Sequence, residues 1–270
     1  MVDLFAAAAL AAATPVLPAA AVATSQSSEP AMFVIHDADT TIYLFGTFHA
    51  LDGDSRWLEN GVRSAFEQSD ELVLETLLPE GPDAPQEIRQ AISAPSATPS
   101  SAFLTTTRMA INASRSRGMQ VDTGADMVLR HIAEAEGKPV QGLETLQLQM
   151  NMFNHLHAAA SLAPPAKAKA GEPAGESMEA LSTALSDMQS AWKRGDQSVF
   201  VRMLDQLDSS APDTYRMMFT ERNSRWADWI AARLQTPGTV FVAVGAGHLA
   251  GKDSVLVRLA QKGINSQRVY

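Results

Sequence analysis

The chain has 270 residues, 46% of them apolar, with a net charge of −9 and no cysteine. That length makes one large domain or two small ones, and an acidic balance without any basic run argues against nucleic acid or an anionic membrane surface as a partner. The absence of cysteine excludes disulfides, thiol nucleophiles and Cys-ligated zinc.

Residues 1–23 read as a secretory signal peptide: Ala6 to Ala23 is almost wholly Ala, Leu, Val and Pro, and Ala21-Val22-Ala23 is an A-x-A cleavage pattern. Pro15 and Pro18 interrupt the stretch, so a stable membrane span after cleavage is not expected. Residues 24–31 form a polar, flexible leader, and residues 32–270 make up the domain. The mature protein is therefore expected to be exported, either periplasmic or secreted. Met32 to Ile35 and Thr41 to Phe45, around His36-Asp37-Ala38-Asp39, read as a β-hairpin. Arg56 to Ser69 reads as a helix with Trp57, Val62, Ala65 and Phe66 on one face. Glu71 to Leu74 is a short buried strand, followed directly by Glu75. The Pro-, Ala- and Ser-rich run from Pro79 to Ser101 is a loop.

Asp126 to Glu136 is the next helix and carries His131 as a surface residue. Val140 to Leu143 is a strand with Glu144 at its end, and Thr145 to Ala160 is helical. His155 and His157 lie two apart on that helix and so face different ways, a poor spacing for joint ligation. Ser161 to Ser177 is a low-complexity mobile loop. Amphipathic helices come next, at Met178 to Arg194 and Gln197 to Leu207, then a long helix from Asp213 to Leu234. Gly238 opens the final strand, and Val255 to Lys262 is the closing helix. Strands alternating with helices predict an α/β fold, a mixed central sheet flanked by helices.

Two of these strands end in one phrase. Thr41 to Phe45 runs into Gly46-Thr47-Phe48-His49, and Thr239 to Val244 runs into Gly245-Ala246-Gly247-His248. The G-x-x-H letters alone are weak, but the repeated strand context gives them weight. Glu75 and Glu144 also stand at strand ends. Ligands in open α/β sheets bind outside the carboxyl ends of the strands, so parallel pairing would gather His49, Glu75, Glu144 and His248 at one edge. Two imidazoles with one or two carboxylates make the ligand set of a divalent metal, with open positions for water and substrate. Without metal the same residues form a general-base pair, Glu75 orienting His49. Taken singly, each glutamate reads equally as an ion pair or a helix-start charge. On the long helix, Phe219, Asn223, Trp226 and Ile230 share one face. Asn223 is thus a polar amide in an apolar stripe and needs partners, with Arg222 beside it. Trp226 and Trp229 read as core. No Gly-rich phosphate loop or G-x-S-x-G elbow is present.

The ordered set Tyr43-Leu44-Phe45-Gly46-Thr47-Phe48-His49, the strand before Glu75, Gly142-Leu143-Glu144-Thr145 with Gln149, Arg222-Asn223 with Trp226, and Val244-Gly245-Ala246-Gly247-His248-Leu249-Ala250-Gly251 resembles the TraB/GumN family. Relatives of that family include the Tiki proteases and, more distantly, erythromycin esterases and ChaN-like haem-binding proteins. The resemblance runs from about residue 33 to the C-terminus. It implies a metal-dependent peptidase or other hydrolase, with His49, Glu75 and His248 as metal ligands and catalytic groups. Glu144, Arg222 and Asn223 would orient the substrate, a peptide or small molecule. The implied metal is manganese or cobalt ahead of zinc. The competing expectations are a metal-independent, esterase-like hydrolase with a His/Glu base pair, and a non-catalytic binder of haem, metal or peptide. The residues leave oligomeric state open.

Overall fold

A computed structural model describes residues 29–77, 79, 101–152 and 174–270, with backbone alone in 101–108 and 174–177. The expected signal peptide, most of the 79–101 loop, His155, His157 and residues 161–173 lie outside the described residues. Among those described, no helix is long and apolar enough to cross a membrane.

The hairpin forms as its alternation requires: β1 (Met32–His36) runs antiparallel to β2 (Thr40–Thr47), with Met32 opposite Phe45 and Ile35 opposite Ile42. His36 ends β1 and is exposed, so the turn begins one residue later than expected. Arg56–Leu58 is a single 3₁₀ turn, and helix α1 (Asn60–Glu67) starts afresh after it. The break in the expected single helix sits at Asn60, whose φ of 51° lies in the left-handed region that asparagine tolerates. Next come β3 (Glu71–Thr76), α2 (Ser101–Ser116), α3 (Ala125–Ala135) and β4 (Val140–Glu144). Residues 146–152 are helical. Helix α4 (Ala174–Lys193) takes in the last residues of the expected low-complexity loop and leads to α5 (Ser198–Ser210).

The long helix is real but not uniform. α6 (Pro212–Tyr215) passes through a π-helical turn at Arg216–Thr220 into α7 (Glu221–Arg233). The Glu221 N–H reaches back five residues to the Arg216 carbonyl. Apolar periodicity hid this turn, because Phe219, Asn223, Trp226 and Ile230 are all buried on either side of its end. The chain closes with β5 (Gly238–Gly245), a 3₁₀ turn at Ala246–Leu249, α8 (Val255–Gln261) and β6 (Gln267–Arg268). β6 was not foreseen: two exposed polar residues leave no hydrophobic period to read.

The sheet order is β4-β3-β5-β2-β1-β6. β4, β3, β5 and β2 are mutually parallel, while β1 and β6 add antiparallel strands at one edge. This is the expected mixed α/β sheet. The inner parallel strands β2, β5 and β3 are covered on both faces, which explains their near-continuous apolar runs, whereas β4 at the edge exposes Gln141 and Gly142. One face carries Phe45, Phe241, Ala243, Leu72 and Leu74 against Trp57, Phe66, Leu129 and Trp192. The other carries Ile42, Leu44, Val73, Val240, Val242 and Val244 against Trp226, Ile230 and Leu259. Rings interlock on the first face, with Phe45 stacked on Trp57 at 5.8 Å and Phe66 edge-on to Phe241 at 5.5 Å. The four parallel strands bring the carboxyl ends of β2, β5, β3 and β4 to one edge.

Candidate active site

At that edge the two faces of the sheet hold different chemistry. On the α7 face, Arg222 is fully buried and its guanidinium gathers the strand ends. Nε donates to Glu144 Oε2 at 2.9 Å and Nη2 to Glu75 Oε2 at 2.8 Å. Nη1 donates to the Met218 carbonyl at 3.4 Å and to His248 Nε2 at 3.2 Å. The guanidinium also lies 4.5 Å from the centre of the Trp226 ring. Arg225 adds a second bond to Glu144, at 3.1 Å. Glu75 Oε1 accepts the Gly245 N–H at 2.7 Å, tying the end of β3 to the end of β5. Charged donors satisfy every carboxylate oxygen in the group but this one, which a backbone amide serves.

These contacts fix the state of His248. Arginine only donates, so Nε2 must accept, and the ring proton is on Nδ1. Nδ1 donates to Asn223 Oδ1 at 2.5 Å, and the other end of the Asn223 amide donates to the Asp253 carbonyl at 2.8 Å. The amide expected to need partners thus has two. Phe219 and Trp226 close over the imidazole, with centroids at 4.9 and 4.4 Å. Burial drives the His248 pKa down to about 3, and Arg222 pushes the same way while Glu75 opposes. The 3.6 Å approach of Nε2 to Glu75 Oε1 is therefore not an ion pair. Burial pushes the Glu75 carboxyl up, but the Arg222 charge outweighs it and holds the group well below the usual carboxylate range.

On the opposite face, His49 lines a cleft of about 50 Å³ that is open to solvent, with Glu75, Thr47, Thr76, Arg130 and Gln149. His49 Nδ1 lies 3.1 Å from Asp126 Oδ1, the imidazole 8% exposed and the carboxylate 25%. The fold builds this pair at a close approach of backbones. The Ala125 N–H donates to the Phe48 carbonyl at 3.0 Å. A Cβ on Gly124 would stand 2.4 Å from the His49 carbonyl oxygen, so only glycine lets α3 start there. Asp126, in the first turn of α3, is then set beside the imidazole. Burial raises the Asp126 carboxyl, but the His49 charge prevails and holds it below its ordinary value.

The sequence-predicted residues therefore divide. Glu75, Glu144, Arg222, Asn223 and His248 form one buried network. His49 lies across the sheet edge from it, sharing the cleft with Glu75. The carboxylate that pairs with His49 is Asp126, not Glu75, because both Glu75 oxygens are already engaged. Nor do His49, Glu75 and His248 fit a shared divalent cation in this arrangement. Both ring nitrogens of His248 are committed, and an ion placed beside Glu75 would meet the Arg222 guanidinium. Among the described residues, no three His, Cys, Asp or Glu side chains are grouped to hold a metal. Sequence reasoning passed over Asp126, Arg130, Thr47 and Thr76. For Asp126 there was a signal, a glycine and an acidic residue at the start of an amphipathic helix, but nothing local tied that start to His49.

A family model described as the TraB/PrgY/gumN family matches residues 31–110 and 97–268. No curated protein and no solved structure matches the chain. The chain belongs to the TraB/PrgY/gumN family.

Proposed function

We propose, from membership of the TraB/PrgY/gumN family and from the cleft at the strand ends, that this protein is an exported hydrolase that cleaves an ester or amide bond with His49 as general base. The observation that carries the reading is the His49–Asp126 pair, 3.1 Å apart in the wall of an open cleft. A carboxylate 3.1 Å from Nδ1 favours the imidazolium, so the ring gains from taking a proton from water. As water adds to the substrate carbonyl, the imidazolium that forms is stabilised by Asp126, which is held ionised. His49 then returns the proton to the leaving alcohol or amine. His248 is unsuited to this work, because its lone pair is occupied and protonating it is opposed by burial. Its part is to hold Arg222, and through it Glu75, at the edge of the cleft. Export rests on the apolar Ala-rich segment that ends in Ala21-Val22-Ala23.

The test uses the purified protein with a panel of 4-nitrophenyl esters and a mixed library of unstructured peptides. Hydrolysis should persist in chelator and vanish in His49→Ala, whose thermal midpoint stays close to the parent. Hydrolysis abolished by chelator and restored by manganese or cobalt would replace this reading with the metal-dependent one. An active His49→Ala variant would sink both.

A further inference from the structure

Two hydroxyls in the cleft have no hydrogen-bond partner among the described residues. Thr47 is fully buried, and its Oγ1 makes no hydrogen bond; Thr76 Oγ1 is likewise buried and unbonded. Both residues line the cleft beside His49. Buried hydroxyls are ordinarily satisfied, most simply by a nearby backbone carbonyl, as those of Ser69 and Ser114 are here. Valine has the shape of threonine and a stronger preference for strands, so packing alone does not call for a hydroxyl at either place.

The register puts the two in one row. Thr47 pairs with Gly245 across β2 and β5, and Leu74 pairs with Ala243 across β3 and β5. Thr76 therefore stands level with Gly245, and period-two alternation points Thr47 and Thr76 to the same face. The strand between them presents only Gly245, which has no side chain, and Ala243. Two strand spacings separate the hydroxyls by about 10 Å. If each reaches inward by one hydrogen bond of about 2.8 Å, the two oxygens they meet are about 4 Å apart or more. Carbonyls two residues apart in an extended chain, about 6.8 Å, fall in that span.

We propose that Thr47 and Thr76 are the substrate's oxygen-binding residues, each donating to one carbonyl oxygen of an extended acyl chain, with Thr47 on the carbonyl that is hydrolysed. The proposal rests on the hydrolase reading above. Water adds to the carbonyl carbon, and its proton goes to His49. The electron pair moves onto the carbonyl oxygen, which Thr47 Oγ1–H receives. Collapse re-forms the carbonyl and expels the alcohol or amine with the proton from His49.

The test compares Thr47→Val, Thr47→Ser, Thr76→Val and His49→Ala on a 4-nitrophenyl ester, which offers one carbonyl, and on the peptide library. Thr47→Val should keep or raise the thermal midpoint, because it removes an unsatisfied buried group. Its kcat should fall about 10²-fold on both probes with KM little changed, as for loss of an oxyanion donor, and Thr47→Ser should recover most of the rate. Thr76→Val should raise KM for peptides alone. A midpoint several degrees lower in Thr47→Val would mean that the hydroxyl serves the fold, and would overturn the assignment. Parental rates in Thr47→Val with an inactive His49→Ala would overturn it while leaving His49 as the base. Parental rates in both variants, or no hydrolysis by the parent on either probe, would remove the hydrolase reading and this assignment together.

Discussion

The chain uses the same G-x-x-H phrase twice and gives the two histidines opposite surroundings. His248 lies directly after β5 in a 3₁₀ turn, wholly out of solvent, and spends both nitrogens on Asn223 and Arg222. His49 lies just after β2, sits in the wall of an open cleft, and faces a partly exposed carboxylate. The strand context is shared, but the element packed against each differs. Helix α7 brings a guanidinium and an amide, whereas α3 brings an acid. A sequence motif thus fixes where an imidazole stands along its strand, and the neighbouring helix fixes what that imidazole can do.

The strongest way to break the contrast is to remove each ring in turn. His49→Ala should lower turnover by about 10³-fold, the range for loss of a general base, with little change in thermal midpoint. Comparable activity loss from disarming Arg222 while stability held would contradict the division. Arg222→Met instead leaves Glu75 and Glu144 buried without their shared cation, and should cost about 3–5 kcal/mol in urea unfolding. Adding Glu75→Gln and Glu144→Gln should return part of that loss; no recovery would place the fault in packing rather than charge. Asp126→Asn should reduce turnover by about 10²-fold, since an amide can hold the ring in the wrong tautomer, and leave stability nearly unchanged.

Acid should weaken the fold through the buried histidine. The folded pKa of His248 lies below the ordinary 6.5, at about 3. Between those values the unfolded chain binds a proton that the folded chain refuses, so the stabilisation is full above pH 6.5 and is lost as pH falls toward 3. Glu75, also depressed, loses its share in the same direction at the acid end. Urea midpoints at pH 7, 5 and 4 should fall steadily, and more shallowly in His248→Gln. Equal slopes would show that the ring plays no part. The smallest effect belongs to the surface: Lys193, which bridges Asp52 and Asp54, should be replaceable by Ala at a cost below about 1 kcal/mol.

Much of the frame could be read from patterning. The hairpin, the buried strand before Glu75 and the terminal strand arise from alternation and apolar runs that one or two packed faces require. The stripe through Phe219, Asn223, Trp226 and Ile230 correctly marked a polar amide in need of partners. Which polar groups meet could not be read. Arg222 and Glu75 are 147 positions apart, and nothing local to either says that one guanidinium will serve two carboxylates and a ring. The pairing of Asp126 with His49 was hidden for a related reason: its place depends on Gly124 allowing a helix to begin against the His49 carbonyl. The π turn was missed because an apolar stripe looks continuous when one residue is added at a buried bend.

That added residue has a consequence of its own. A regular helix advances about 100° per residue, so a turn holding one residue more than the winding allows sets the phase between the helix on its N-terminal side and the helix on its C-terminal side. Before the π turn, the Tyr215 hydroxyl is aimed at the Asp253 carboxylate; after it, Arg222 is aimed at the strand-end carboxylates and Asn223 at His248 and the Asp253 carbonyl. Both aims depend on the count between them. Deleting a single residue from 216–220 would tidy the helix and leave its composition almost unchanged, yet rotate one anchor away from the other, as a key cut one notch short no longer lifts both pins. At Arg216, Met217 and Thr220, which are not buried, this segment should therefore accept changes of letter, but nowhere a change of length.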